Sequence, residues 1–257
     1  MQRYFISNDQ WDYDKGQVTI SSEDYHHINK VMRMTSGDIV IGCNENEESF
    51  ELELSQFDDS TQTLVATIKQ ALNEQVELPA HITLAQGLPK GDKLETIVQK
   101  GTELGMRSFI PLQMDRSIVK WDHKKQDKKL NRLQKIAKEA SEQSHRLMIP
   151  TIQSLQSLSQ VVDSGEFDLM IVASEYEVKD DHKPEWTLSD IMNQIDSDQR
   201  VLLIIGPEGG ISPHELTICE EADVLPARLG RRILRTETAS LYVLSVLSYC
   251  LEENYNT

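Results

Sequence analysis

The chain has 257 residues, 39% of them hydrophobic, and a formal net charge of -16, enough for one large domain or two modest ones that bury a core without staples. Its three cysteines, Cys43, Cys219 and Cys250, are odd in number and far apart, which excludes a secreted disulfide scaffold and a paired-cysteine metal site. No apolar run reaches the roughly 18 residues that span a bilayer, and no signal-peptide pattern opens the chain, so the expectation is a soluble cytoplasmic protein with no metal.

In residues 1–72 the apolar pattern has period two. Ser22 is placed to cap a short helix running to Met32, and Ser36-Gly37-Asp38 turns the chain into a strand at Ile39-Val40-Ile41. Two further strands follow: Phe50, Leu52 and Leu54 alternate with Glu51 and Glu53, and Leu64, Ala66 and Ile68 with Val65 and Thr67. Such alternation describes half-buried antiparallel strands, hence a small β-rich barrel or sandwich with one helix. Residues 73–79 read as a linker, which puts a domain boundary between 72 and 73.

From there to residue 257 strands and helices alternate. Residues 82–85 form a strand and 86–92 a glycine-rich turn with Lys90 and Lys93 available to phosphate. Asp92 then caps a helix with Leu94, Ile97, Val98 and Gly101 on one face, closed by Gly105. A strand at 109–112 precedes a long helix, 126–146, whose buried stripe is Leu130, Leu133, Ile136, Ala137 and Ala140. Strands follow at 169–173 and 201–205, with a short one at 224–225. The alternation specifies a parallel sheet with helices on its faces, an α/β domain. The last helix, 236–252, is apolar around most of its circumference and must be covered on more than one side, by its own domain or by a second copy; the patch favours a homodimer.

The net charge hides an uneven distribution. Residues 1–72 carry -8, residues 73–150 carry +4 and residues 151–257 carry -12, and the stretch 116–146 alone has ten Lys/Arg against four Asp/Glu. A Lys-rich helix is either a solvated face or a contact for a polyanion. Because screening at physiological salt leaves a reach of about 8 Å, a local basic stripe on an acidic protein is compatible with RNA.

Two bends carry chemistry. In the first, Val201-Leu-Leu-Ile-Ile-Gly206-Pro-Glu-Gly-Gly210, a buried strand ends in a bare backbone turn, and Ser212-Pro213-His214-Glu215 then starts a helix with a serine cap, a proline at the first position and a glutamate three residues on. No Lys-Ser/Thr follows, and the spacing is not G-x-G-x-x-G, so neither a triphosphate nor a dinucleotide is indicated. What remains is a tight, backbone-lined pocket for a compact, bent ligand. The second bend, Leu229-Gly230-Arg231-Arg232-Ile233-Leu234-Arg235-Thr236-Glu237-Thr238-Ala239, leaves a glycine, passes three arginines and enters a helix with Thr236 as its expected cap.

Taken in order, Arg3-Tyr4-Phe5, His27-Ile28-Asn29-Lys30-Val31-Met32-Arg33, Gly37-Asp38, Gln99-Lys100-Gly101-Thr102-Glu103-Leu104-Gly105, Glu142-Gln143-Ser144 with Arg146 and Pro150, and the two bends resemble the RsmE family over essentially the whole chain. That family methylates N3 of a uridine in 16S ribosomal RNA and belongs to the SPOUT class of S-adenosylmethionine-dependent enzymes. The resemblance implies a PUA-like RNA-binding β-barrel over 1–72, a trefoil-knotted α/β methyltransferase domain over 73–257, and a homodimer through the C-terminal helix and knot region. By motif match it places Gly206, Glu208, Gly209, Gly210, Leu225, Leu229, Gly230, Ile233 and Leu234 around S-adenosylmethionine.

Uracil N3 is weakly acidic and must lose its proton before attack, to a base or to solvent while a cation steadies the anion. Arg232 or Arg235 is placed to supply the cation, and Glu237 or Glu208 to act as base. For 16S rRNA or the small subunit, Arg3 and Arg33 of the barrel, Lys90 and Lys93, and Lys124, Lys125, Lys128 and Lys129 of the basic helix are the expected contacts. An RNA-binding assembly factor without turnover is a reading of a different class, and a related methyltransferase acting on another RNA position is a third.

Overall fold

The computed structural model describes residues 1–173 and 187–253, the side chains of 123–125 and 253 excepted. The chain parts into two compact units, Met1–Glu77 with Ser141–Ile149, and Leu78–Ala140 with Pro150–Thr257. The seam lies five residues beyond the one expected from the linker, and the first unit takes in a short segment from the end of the long helix.

The first unit is a six-stranded sheet in the order β1 (Arg3–Phe5), β4 (Ile39–Cys43), β5 (Ser49–Asp58), β6 (Thr63–Leu72), β3 (Gln17–Ser21), β2 (Trp11–Asp12), parallel only between β1 and β4. Helix α1 (Ser22–His26) widens into a π-helical turn, His27–Val31, where Met32 N–H reaches the His27 carbonyl. Strand alternation works as read. Leu52, Leu54, Leu64 and Ala66 enter a core with Tyr4, Trp11, Val18 and Ile20, while Glu53 and Glu51 on the outer face meet Lys69 and Gln70 across the β5–β6 pair at 2.7 and 2.8 Å. A bulge between Leu54 and Gln56 reverses the facing of the residues after it, which lets Phe57 pack on the same core. Strands β1, β2 and β3, too short or mixed to register as periodic, were not expected.

Arg3 corrects the expectation of a basic RNA contact on this unit. It points inward, with no side-chain exposure, and its guanidinium forks onto Glu74 at 2.7 and 2.8 Å and donates to the Arg146 carbonyl at 2.9 Å. Arg146, itself buried, forms a second pair with Glu77, whose carboxylate also accepts from the Leu147 N–H. A guanidinium removed from water needs such partners, and Arg3 has them at the cost of availability. Arg33, at φ 55°, is exposed.

The second unit is an all-parallel sheet ordered β12 (Leu225–Ala227), β10 (Leu169–Ala173), β11 (Arg200–Ile205), β7 (His81–Gly87), β8 (Ser108–Leu112), β9 (Thr151–Ile152). Central strand β11 is buried on both faces. Leu202 and Ile204 join a core with Ile110, Leu112, Leu158, Val161 and Cys219, and Val201, Leu203 and Ile205, facing the other way, are equally enclosed. Helices α2 (Lys93–Glu103), α3 (His123–Gln143), α4 (Leu158–Val162), α5 (Leu188–Met192), α6 (Pro213–Glu221) and α7 (Thr236–Glu253) connect or flank the strands. Short α4, α5 and β9 were not expected. Helix α7 lies against both β11 and α2, where Gly101 leaves Leu244 room that a Cβ would fill at 3.3 Å. Its other side is open: Tyr242 and Tyr249 are exposed along a groove shared with Leu241 and Val246. Parallel strands end on one edge, so the segments after β7, β8, β11 and β12 gather there.

Candidate functional site

At that edge the two bends meet. Turn 206–210 and bend 229–235 line one cavity of about 330 Å³, together with Ala173, Ile205, Ile211, Thr236 and Ala239. Of the residues expected around a ligand, Gly206, Glu208, Gly210, Leu229, Ile233 and Leu234 lie on its wall, as do Arg232 and Arg235. Gly209, Leu225 and Gly230 do not line it. Gly209 faces Arg116, whose Cβ and carbonyl oxygen would stand 2.8 and 3.0 Å from any Cβ added there. Leu225 pairs with Ile171 on the edge strand β12, and Gly230 supplies a backbone turn at φ +99° that other residues resist.

The helix start after the first bend forms as its residues dictate. Ser212 Oγ accepts from the Glu215 N–H at 3.1 Å, Glu215 returns a bond to the Ser212 N–H at 2.9 Å, and Pro213 opens α6. Loop 113–119 is fastened to this capping box. Asp115 accepts from Ser212 Oγ at 2.6 Å, the Asp115 N–H donates to Glu215 at 2.9 Å, and Arg116 Nη1 donates to the Gly209 carbonyl at 3.1 Å. The Ser212 hydroxyl, outweighing partial burial, and His214 hold the Asp115 carboxyl below its ordinary range.

Thr236 does not use its hydroxyl as a helix cap, contrary to the sequence reading. It donates instead to the Gly206 carbonyl at 2.7 Å, and so ties the second bend to the first. Gln86, fully buried at the end of β7, completes the tie: its amide donates to Thr236 Oγ1 and the Gly87 carbonyl, and Ser240 of α7 donates to its Oε1. Next to it, Gly87 is compelled by Pro207, whose Cδ and N would lie 2.5 and 2.6 Å from a Cβ. The sequence marks 86–92 as a glycine-rich turn through its lysines and gives these two no role; the one available signal is a lone glutamine ending an apolar strand.

Lys93 and Glu237 also depart from the expected roles. Lys93 Nζ is 2.8 Å from Glu208 and 3.1 Å from Glu237, a paired cation rather than a free phosphate ligand. Glu208 and then Glu237 raise the Lys93 pKa in return. Burial lifts the Glu208 carboxyl, but Lys93 and the backbone N–H groups of Glu208 and Lys90 outweigh it and hold the group below the usual carboxylate range. Glu237 is off the cavity wall, its enclosed Oε2 near Lys93 but without a directed hydrogen bond. Arg232 and Arg235, by contrast, are exposed and enter no ion pair among the described residues. Lys90, Lys128 and Lys129 are exposed; the side chains of Lys124 and Lys125 lie outside the described residues. No cluster of metal-ligating side chains occurs among the described residues, and no described helix is long and apolar enough to cross a membrane.

The chemistry available among the described residues is therefore a backbone-rich cavity with apolar walls, one anion and two arginines without an ion pair. Residues 76–248 match the family model of an RNA methyltransferase domain. The ribosomal RNA small subunit methyltransferase E of Bacillus subtilis (strain 168) is 42% identical over 98% of both chains. Among solved structures, a methyltransferase of Legionella pneumophila in complex with S-adenosylmethionine superposes with a TM-score of 0.81 at 31% identity, covering 95% of this chain and 96% of that one. The ribosomal RNA small subunit methyltransferase E of Neisseria gonorrhoeae, bound to S-adenosyl methionine, gives 0.80 at 25% identity, covering 96% of each.

Proposed function

The chain belongs to the family of ribosomal RNA small subunit methyltransferase E, and from that premise we propose that it transfers the methyl group of S-adenosylmethionine to N3 of a uridine in 16S rRNA. The observation that carries this reading is the meeting of both bends around one cavity. The cavity suits the cofactor: its volume is at the small end of ligand pockets, the glycines of turn 206–210 let a ligand approach the main chain closely, and Leu229, Ile233, Leu234 and Ala239 supply apolar walls for a ring. Bound there, the cofactor supplies an electrophilic methyl group on a sulfonium sulfur.

The chain's own residues do the rest. Arg232 and Arg235 steady negative charge on the uracil oxygens as N3 loses its proton. Glu208, held anionic by Lys93, is a poor acceptor for so weakly acidic a proton, which therefore passes to solvent. Glu208 and Glu237 together fix Lys93 and, through it, the spacing of the two bends. Gly209, Gly230 and Leu225 shape the bends and the strand beneath them.

The same reading assigns the first unit, with exposed Arg33, to a PUA-like RNA-binding barrel, and the second to a SPOUT domain threaded into a trefoil knot. The open groove on α7 becomes a homodimer interface, and the protein acts in the cytoplasm. The test is to incubate purified protein with labelled cofactor and small subunits from cells lacking the gene, then locate the methyl group by mass spectrometry. One N3-methyluridine in 16S rRNA is the expected result. No transfer leaves an assembly factor, and a methyl group elsewhere leaves a methyltransferase of different target.

A further inference from the structure

We propose that the loop after β8 and the first half of α3 form a track for single-stranded RNA, with Trp121 as its stacking surface, leading to the cavity; this rests on the RNA methyltransferase reading above. Residues 116–135 contain eight Lys/Arg and two Asp/Glu in a chain whose net charge is -16. Lys120, Lys128 and Lys129 are exposed and enter no ion pair among the described residues, so their charge is not spent on neighbouring carboxylates.

Apolar groups are interleaved with these cations. Ile118 is 70% exposed, and Trp121 is half-buried with Lys129 Nζ 4.9 Å from its ring centroid. A base that takes the place of Lys129 on the ring face, with the ammonium groups turned to phosphate, gives the combination that holds single strands without reading their sequence.

The track is also anchored to the first bend and to the helix start that follows it. Arg116 and Asp115 fasten its first residues to Gly209, Ser212 and Glu215, and Gln113 donates to the Val119 carbonyl at 3.3 Å, which closes the loop on itself. A strand lying on Trp121 is thereby presented to the edge where Arg232 and Arg235 stand without an ion pair among the described residues. The basic run is then a guide for the flank of the target nucleotide.

The experiment measures fluorescence anisotropy of a labelled twelve-nucleotide oligouridine and of a duplex RNA against the full chain over a salt series. Trp121→Ala weakens oligouridine binding about tenfold, and Trp121→Phe, which keeps a stacking face, restores most of it. The double substitution Lys120→Ala with Lys128→Ala lowers the salt slope by roughly 1.4, about 0.7 per lost phosphate contact. Thermal stabilisation by S-adenosylhomocysteine, followed in each variant, confirms that the second unit is folded. Wild-type affinity and slope in both the alanine variants, or equal binding of duplex and single strand, overturns the track while leaving the methyltransferase reading intact. A wild-type chain that binds cofactor but neither binds nor methylates any RNA overturns that reading and the track with it.

Discussion

Arg3 and Arg146 in the first unit and Arg232 and Arg235 in the second are the same residue type in opposite circumstances. The first pair is buried, forked onto Glu74 and Glu77, and holds β1 to the segment 141–149. The second pair is exposed at the rim of a cavity and enters no ion pair among the described residues. An arginine whose partners lie within its own unit is a fold element. One left unpaired beside a pocket is held for charge that arrives with a ligand.

The contrast breaks most sharply at Glu74. Glu74→Ala strands the enclosed Arg3 charge and should destabilise the first unit by about 3 kcal/mol, read from the denaturant midpoint, with cofactor affinity of the folded protein unchanged. Burial lifts the Glu74 carboxyl, but Ser49 and Arg3 together hold it below its ordinary value of 4.5. Its contribution is therefore complete above that value and disappears as pH falls through the lower folded-state value, and the Glu74→Ala chain should lack this acid limb. Next in size is Arg235→Ala, for which we expect a fall in methyl transfer of about a hundredfold and a melting temperature close to that of the wild type. An unchanged rate removes Arg235 from catalysis and erases the distinction between the pairs. The smallest effect belongs to Ser212→Ala, which removes one cap and its bond to Asp115 and should cost about 1 kcal/mol of stability.

The first bend was legible because every local signal agreed: an apolar run, Gly-Pro, and a serine, proline and glutamate in capping order, all realised in β11 and α6. Thr236 misled because a cap signal describes only the residues beside it, and its hydroxyl found the Gly206 carbonyl, thirty positions away. Arg3 was illegible for the same reason, since its partners lie 71 and 143 positions along the chain. Gln86 and Gly87 owe their importance to Pro207 and Thr236 crossing above them, a juxtaposition that only the sheet order β11-β7 creates. Period-two strands and the long amphipathic helix were readable over many residues; β2, β9, α4 and α5 are shorter than any window that reveals a period.

The most direct measurement is a calorimetric titration of S-adenosylhomocysteine into the wild type, Gly206→Ala in the first bend and Leu229→Arg in the second. A Cβ at 206 meets Ile211 Cγ1 at 2.9 Å, and an arginine at 229 fills the cavity from the opposite bend. One site per chain in the wild type, weakened at least tenfold by either substitution in a protein that still melts cooperatively, is the predicted result. Undiminished binding in either variant would place the methyl donor elsewhere and contradict a single pocket built from both bends.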